Sequence, residues 1–176
     1  MGLNRAQRGA AIAGLCGIAG IGVLCALAFG FGLRVNLTPS LPIGLYVANA
    51  RGSLVEFCPP GTAGDLSAIR GYRELGVCPD RHAPLLKPLV ARVGDQVAID
   101  AQGIRVNGAL LPNTRTHAMD HHRRPLAPYP AGTYTVAPGT IWVASTWNDG
   151  SFDSRYFGPI RVESVRSTLA TLWVLE

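Results

Sequence analysis

Gly94-Asp95-Gln96-Val97-Ala98-Ile99-Asp100 leads, four residues on, into Ile104-Arg105-Val106-Asn107-Gly108-Ala109-Leu110-Leu111. Gly94-Asp95 reads as a turn and Gln96–Asp100 as a short β-type run. Asn107-Gly108 between two apolar runs is a strong two-residue hairpin signal, because the favoured turn needs positive φ at both central positions. Runs of the same kind lie on either side. Gly44–Ala48 and Ser53–Phe57 precede the hairpin, with a longer apolar stretch at Pro84–Arg92. Thr133–Val136, Ile141–Ala144 and Leu172–Leu175 follow it. Only Asp65–Gly76 looks helical, with Asp65 as its cap and Gly76 as its end. Residues 112–132 are rich in Pro, His and Arg and read as a surface loop. No 20–50-residue repeat is present. The expectation is a mostly β domain of small closed or folded-over antiparallel sheets.

The chain has 176 residues, 48% of them hydrophobic and 15% charged, which excludes a disordered protein. Its formal charge is +5. The arginines are scattered and only Arg123-Arg124 is an adjacent pair, so nucleic-acid binding is not expected. A weakly basic domain close to anionic lipid fits the same charge. Fifteen of the 16 basic residues are arginine, and Lys87 is the only lysine. Arginine keeps its proton, whereas a desolvated lysine can lose it. Any amine chemistry in this chain therefore has one side-chain candidate.

Residues 9–33 contain no charged residue. About 20 apolar residues span a bilayer as a helix. Arg5 and Arg8 precede the run, so the positive-inside rule puts the N-terminus in the cytoplasm. Ala26-Leu27-Ala28 also fits a small-x-small cleavage site, the mark of a removable signal peptide. The apolar run continues through Phe29–Leu33, which favours an uncleaved anchor. The division expected is residues 1–33 as cytoplasmic N-terminus and single-pass transmembrane anchor, and 34–176 as an extracytoplasmic β domain. Cys58 and Cys78, each followed by proline, would pair in an oxidising compartment. Such a loop of about 20 residues would stabilise by roughly 3 kcal/mol.

Three segments carry candidate chemistry. In Asn36-Leu37-Thr38-Pro39-Ser40-Leu41-Pro42 the prolines hold Ser40 on an extended, non-helical loop. By itself this also reads as a tether between anchor and domain. Lys87 sits in Pro84-Leu85-Leu86-Lys87-Pro88-Leu89-Val90 and must either point outward or be buried. Burial lowers its pKa, and a neutral lysine can activate a serine without histidine. In Ser151-Phe152-Asp153-Ser154-Arg155-Tyr156-Phe157-Gly158, Asp153 and Arg155 can pair or cap backbone, and Ser151 can orient an amine.

Together these segments resemble the type I signal peptidases, and within them the conjugative-transfer (TraF-type) branch. The order of Ser, then Lys followed by Gly94-Asp95, then Ser-x-Asp-Ser-Arg-x-x-Gly covers nearly the whole chain. The resemblance implies a signal-peptidase-like antiparallel β catalytic domain behind one N-terminal transmembrane helix. It implies Ser40 as nucleophile, Lys87 as general base, and the Ser40 N–H with the Thr38 hydroxyl as oxyanion hole. Ser151 matches the serine that hydrogen-bonds the lysine, and Asp153 and Arg155 match a structural ion pair. Housekeeping members commonly carry Gly-Asp-Asn-Arg before the last motif and methionine after the nucleophile. Here Thr146-Trp147-Asn148-Asp149 and Leu41 stand there, which argues against a housekeeping role, and the small size and the Cys58/Cys78 pair fit the conjugative branch better.

The expected function is that of a serine endopeptidase of the bacterial inner membrane with its catalytic domain in the periplasm. Its substrate would be a pilin precursor or another signal-peptide-bearing protein, which it cleaves and in some family members helps circularise. The lipid bilayer and other conjugation-apparatus proteins are expected partners. A non-enzymatic anchored assembly factor and a broad-substrate signal peptidase are the alternatives. No cofactor is expected. His117, Asp120, His121 and His122 lack ligand spacing on one face and read as a solvated loop, so no metal is expected either.

Overall fold

The computed structural model describes residues 30–175 continuously, together with positions 14, 17, 19, 20, 22, 23, 26 and 28. The anchor expected over residues 9–33 thus falls largely outside the described residues. Those eight separate positions are helical. Among the described residues no helix is long and apolar enough to cross a membrane.

Among the described residues, eleven strands form two antiparallel sheets. The smaller has the order β7 (Ala109–Leu110), β6 (Gly103–Val106), β5 (Gln96–Asp100), β8 (Gly132–Thr135). Asn107 and Gly108 adopt φ of 50° and 87°, the left-handed conformations that the hairpin turn requires. Along β5, Val97 and Ile99 are buried and their neighbours face outward, and they sit opposite Val106 and Ile104. This period of two leaves one face of the sheet apolar.

The larger sheet has the order β1 (Leu33–Asn36), β2 (Gly44–Ala48), β11 (Val165–Val174), β3 (Leu54–Phe57), β4 (Leu85–Ala91), β9 (Thr140–Val143), β10 (Ile160–Arg161). β3 lies near its centre and is buried at all four positions. Phe57 is completely enclosed, and burial of such a side chain contributes about 2–3 kcal/mol. β4 and β9 join the sheets, since Ala91 and Trp142 pack with Val97, Ile99 and Ile104 in one cluster. Tyr129 meets the Trp142 ring edge-on at 5.6 Å.

The helix expected at Asp65–Gly76 is displaced toward the N-terminus and overlaps that span only over Asp65–Ile69. α1 spans Gly61–Ile69, with Pro60 in extended conformation at its N-cap, so Asp65 lies inside it. Gly71, in left-handed conformation, ends it early. Residues beyond it wrap around the buried Arg73 guanidinium, which donates to Ser67 Oγ (2.8 Å), the Gly64 carbonyl (2.9 Å) and the Ala83 carbonyl (3.1 Å) and pairs with Asp80. A disulfide between Cys58 and Cys78 closes this excursion at its base.

Three further elements were not expected. β1 opens on Leu33, the last residue of the apolar run, and pairs with β2, so the sheet begins before the Pro-rich segment read as a tether. β10 is a two-residue edge strand. A short helix α2 (Ser154–Phe157) is capped by the Asp153 side chain. β11 runs ten residues, seven more N-terminal than the expected Leu172–Leu175 run. The expected surface loop at 112–132 is tied down by Asp120, whose carboxylate accepts from Tyr72 Oη (2.6 Å), Arg124 Nε (2.7 Å) and two backbone N–H groups.

Candidate active site

Ser40 stands on the loop between β1 and β2. Asn36, the last residue of β1, is buried beneath it. Its Nδ2 donates to the carbonyls of Thr38 (2.9 Å), Leu41 (3.2 Å) and Pro42 (3.2 Å), and its Oδ1 accepts from Thr38 Oγ1 (2.8 Å). Tyr46 Oη donates to the Pro42 carbonyl at 2.6 Å. Leu41 is inserted in an apolar cluster with Tyr46, Leu54 and Leu169. The loop is thus pinned on both sides of Ser40, whose hydroxyl lies 3.2 Å from that of Thr38.

Two more clamps come from far along the chain. Ser145 Oγ donates to the Ser40 carbonyl at 2.6 Å, and Asn148 Nδ2 donates to the Pro39 carbonyl at 3.3 Å.

Lys87 is in β4, opposite Val55 of β3, and is 4% exposed. Its Nζ donates to Ser151 Oγ at 2.8 Å. Burial lowers its pKa to about 8; the Asp153 carboxylate opposes that shift and the Arg155 guanidinium adds to it. Lys87 and Ser40 line one cleft of about 620 Å³, together with Leu86, Tyr72, His121 and Ser151. Ser40 Oγ bonds to Thr38 and Lys87 Nζ to Ser151, with no hydrogen bond between the pair. Contacts of this kind often close only when substrate arrives.

Asp153 and Arg155 are fully buried and paired through two 2.8 Å bonds. Burial works against the Arg155 charge, yet its hydrogen bond to Asp153 holds its pKa above the ordinary value. Arg155 also donates to the carbonyls of Arg115 (2.9 Å), Asp149 (2.6 Å) and Ser151 (2.9 Å). Asp153 Oδ2 accepts from the Ser145 N–H at 3.0 Å. The ion pair therefore sets the path of residues 145–151, which carry the partners of both Ser40 and Lys87.

β4 leaves part of one edge free. Leu89 N–H bonds the Ser53 carbonyl, which places Lys87 and Leu85 in the bonded pairs with β3 and turns the Leu86 N–H and C=O the other way. β9 covers that other edge only from Pro88 and Leu89 onward. Leu86 therefore presents an unpaired donor and acceptor to the cleft.

The structure brings Thr38, Ser40, Lys87 and Ser151 to one cleft or its rim, with Asp153 and Arg155 directly behind. Cys58 and Cys78 hold the excursion whose Arg70–Glu74 segment lines the same cleft. The loop residues grouped with His117 diverge: His117 pairs with Asp149 (3.0 Å) and Asp120 with Tyr72 and Arg124. Sequence reasoning missed Asn36, Ser145 and Asn148. They act on backbone carbonyls, for which no residue pattern exists, although the Asn at the end of β1 could have been suspected as a loop clasp.

The signal peptidase, peptidase S26, family model matches residues 6–174. A plasmid transfer protein TraF of Escherichia coli is 35% identical over 173 residues, covering 95% of this chain and 94% of that protein. A second E. coli plasmid transfer protein TraF is 41% identical over 144 residues, covering 78% of this chain and 81% of the relative. A conjugal transfer protein TraF of Agrobacterium fabrum is 40% identical over 153 residues, 82% of this chain and 85% of that protein. A crystal structure of a signal peptidase I from Enterococcus faecalis aligns with 69% of this chain and 97% of its own, at 18% identity and a TM-score of 0.37. With a family model spanning nearly its whole length and relatives of this similarity, the chain belongs to the peptidase S26 signal peptidases, in their TraF-type conjugal-transfer group.

Proposed function

We propose that the protein is a membrane-anchored serine endopeptidase that cleaves pilin precursors in conjugative transfer, with Ser40 as nucleophile and Lys87 as general base. The observation that carries this reading is Lys87 itself. It is the only lysine, it is buried in the cleft that Ser40 lines, and its pKa is lowered to about 8. A base poised near the working pH combines a useful neutral fraction with real proton affinity.

The chemistry runs in two halves. An extended precursor segment adds to the free edge of β4 through the Leu86 N–H and C=O, which brings its scissile carbonyl to Ser40. Ser40 Oγ attacks that carbon while its proton passes to Lys87 Nζ. The Ser40 N–H and the Thr38 hydroxyl receive the developing negative oxygen. Lys87 then gives the proton to the departing amine, the C–N bond breaks, and an ester to Ser40 remains. Water, or an amine of the pilin itself, attacks the ester with Lys87 again taking the proton, the bond from the acyl carbon to Ser40 Oγ breaks, and Lys87 returns the proton to that oxygen. Ser151 keeps the amine aimed throughout. Residues 1–33 serve as the anchor, with the catalytic domain on the periplasmic side, where a Cys58–Cys78 disulfide persists.

The test is intact-mass analysis of a cognate pilin precursor after incubation with the wild-type protein and with Ser40→Ala. The expected result is a shortened product with wild type alone, and a further loss of one water would mark circularisation. Equal cleavage by both would remove Ser40 from the reaction. An untouched precursor with both would favour the anchored assembly factor, and cleavage of unrelated secretory precursors would favour the broad signal peptidase.

A further inference from the structure

Two peptide planes flank the Ser40 side chain. The first holds the Pro39 carbonyl and the Ser40 N–H; the second holds the Ser40 carbonyl and the Leu41 N–H. Both are trans, so carbonyl and N–H point in opposite directions and fixing one aims the other. Each carbonyl is gripped by a side chain of the same distant segment. Asn148 Nδ2 holds the Pro39 carbonyl (3.3 Å) and Ser145 Oγ holds the Ser40 carbonyl (2.6 Å).

The orientation of both grips is determined. Ser145 Oγ accepts from the Trp147 N–H (3.2 Å) and the Asn148 N–H (3.0 Å), so its single proton is left for Ser40. Asn148 Oδ1 accepts from the Gly150 N–H (2.8 Å), which turns Nδ2 toward Pro39. The segment in turn hangs on the buried ion pair, through the Ser145 N–H to Asp153 and the Asp149 carbonyl to Arg155.

We propose that Asn148 and Ser145 are positioning residues for oxyanion stabilisation: Asn148 fixes the plane that carries the Ser40 N–H, and Ser145 fixes the plane after it. The proposal rests on the reading of Ser40 as nucleophile. Loss of either grip lets a flanking plane rotate, and the N–H loses its aim at an oxygen that becomes negative only in the transition state. Binding of uncleaved peptide along β4 is unchanged. So is the titration of Lys87, because neither side chain is bonded to Nζ.

The test uses the full-length protein, an Ala-Leu-Ala peptide aldehyde and the matching peptide amide. With the aldehyde, Ser40 Oγ bonds to the aldehyde carbon and its proton ends on the former carbonyl oxygen, which occupies the oxyanion position. In Asn148→Ala and in Ser145→Ala the aldehyde binds about tenfold or more weakly. The amide stays within about twofold, and the pH inflection of kcat/KM does not move. Equal weakening of aldehyde and amide would mark a plain substrate contact and overturn the proposal. Undiminished aldehyde affinity or a shifted inflection would overturn it as well. The two variants act on different planes, so if one fails to fold the other decides. Ser40→Ala separates the levels. Wild-type aldehyde affinity in Ser40→Ala would remove the nucleophile and this proposal together. Lost affinity there, with wild-type affinity in the Asn148 and Ser145 variants, would overturn the positioning role alone.

Discussion

Asn36 Oδ1 takes the hydroxyl proton of Thr38 at 2.8 Å. The amide cannot be turned round, because its Nδ2 faces three carbonyls. Thr38 has one proton and it is committed, so in the 3.2 Å contact between Thr38 and Ser40 it is Ser40 that donates. The Ser40 proton thus points along a relay that ends on Asn36, away from Lys87. In the proposed reaction both hydroxyls turn: Ser40 toward the amine, and Thr38 toward the new oxyanion.

That reorientation gives Thr38 a measurable share of the rate. Thr38→Val keeps the shape and loses the donor, and kcat should fall about a hundredfold with KM little changed. Thr38→Ser should retain most of the rate. Steady-state kinetics on a peptide substrate checks both, and an unaffected Thr38→Val would show that the Ser40 N–H acts alone.

Activity should follow the neutral form of Lys87. With a pKa of about 8, kcat/KM rises tenfold per pH unit below that value and levels off above it. At pH 7 about one lysine in ten is neutral, against fewer than one in a thousand at the ordinary value. A pH–rate profile locates the inflection, and one near 10 would show that the amine is solvated during turnover.

The same burial costs stability. In the unfolded chain Lys87 regains a pKa near 10.5. Between about pH 8 and 10.5 the unfolded chain holds a proton that the folded chain has released, so raising the pH favours the folded state. Below pH 8 both forms are protonated and the full cost, on the order of 3 kcal/mol, is present. Lys87→Met should therefore be inactive and have a higher Tm than wild type at pH 7. The difference should shrink as pH approaches 10.5, as differential scanning calorimetry at several pH values would reveal.

Arg155→Lys should be severe. A lysine ammonium cannot reproduce the planar fork that grips Asp153 and three carbonyls at once. Leaving Asp153 poorly compensated in a dry site should lower stability by about 3 kcal/mol. Chemical denaturation of the variant measures this, and a loss below about 1 kcal/mol would mean that water enters to replace the guanidinium.

The hairpin at Asn107-Gly108 and most strands were legible because their residues alternate or cluster in short apolar runs. β1 was not, because Leu33 closes an apolar stretch and Asn36 opens a proline-rich one, which hides a four-residue strand between two stronger signals. β11 was legible only at its end. Its first seven residues, Val165-Arg166-Ser167-Thr168-Leu169-Ala170-Thr171, include a single fully buried side chain, Leu169, and read as polar. Helix α1 was displaced because Asp65 fits a cap by residue type, while the extended Pro60 caps the helix five residues earlier. In the candidate site, Ser40, Lys87 and Ser151 were readable as chemical types in a fixed order. Asn36, Ser145 and Asn148 were not, since a side chain that steadies a carbonyl carries no signature of its target.

Among the described residues β11 is the last strand, yet it lies between β2 and β3 and pairs with both. Residues 33–57 therefore cannot close into a continuous sheet until residues 165–174 have been synthesised and threaded between them. Ser40 leaves the ribosome more than a hundred residues before Ser145 and Asn148, its distant clamps. A growing chain thus carries Ser40 without its surroundings until Ser145, Asn148 and β11 have been made. The order of strands does for this protein what a removable inhibitory segment does for a zymogen.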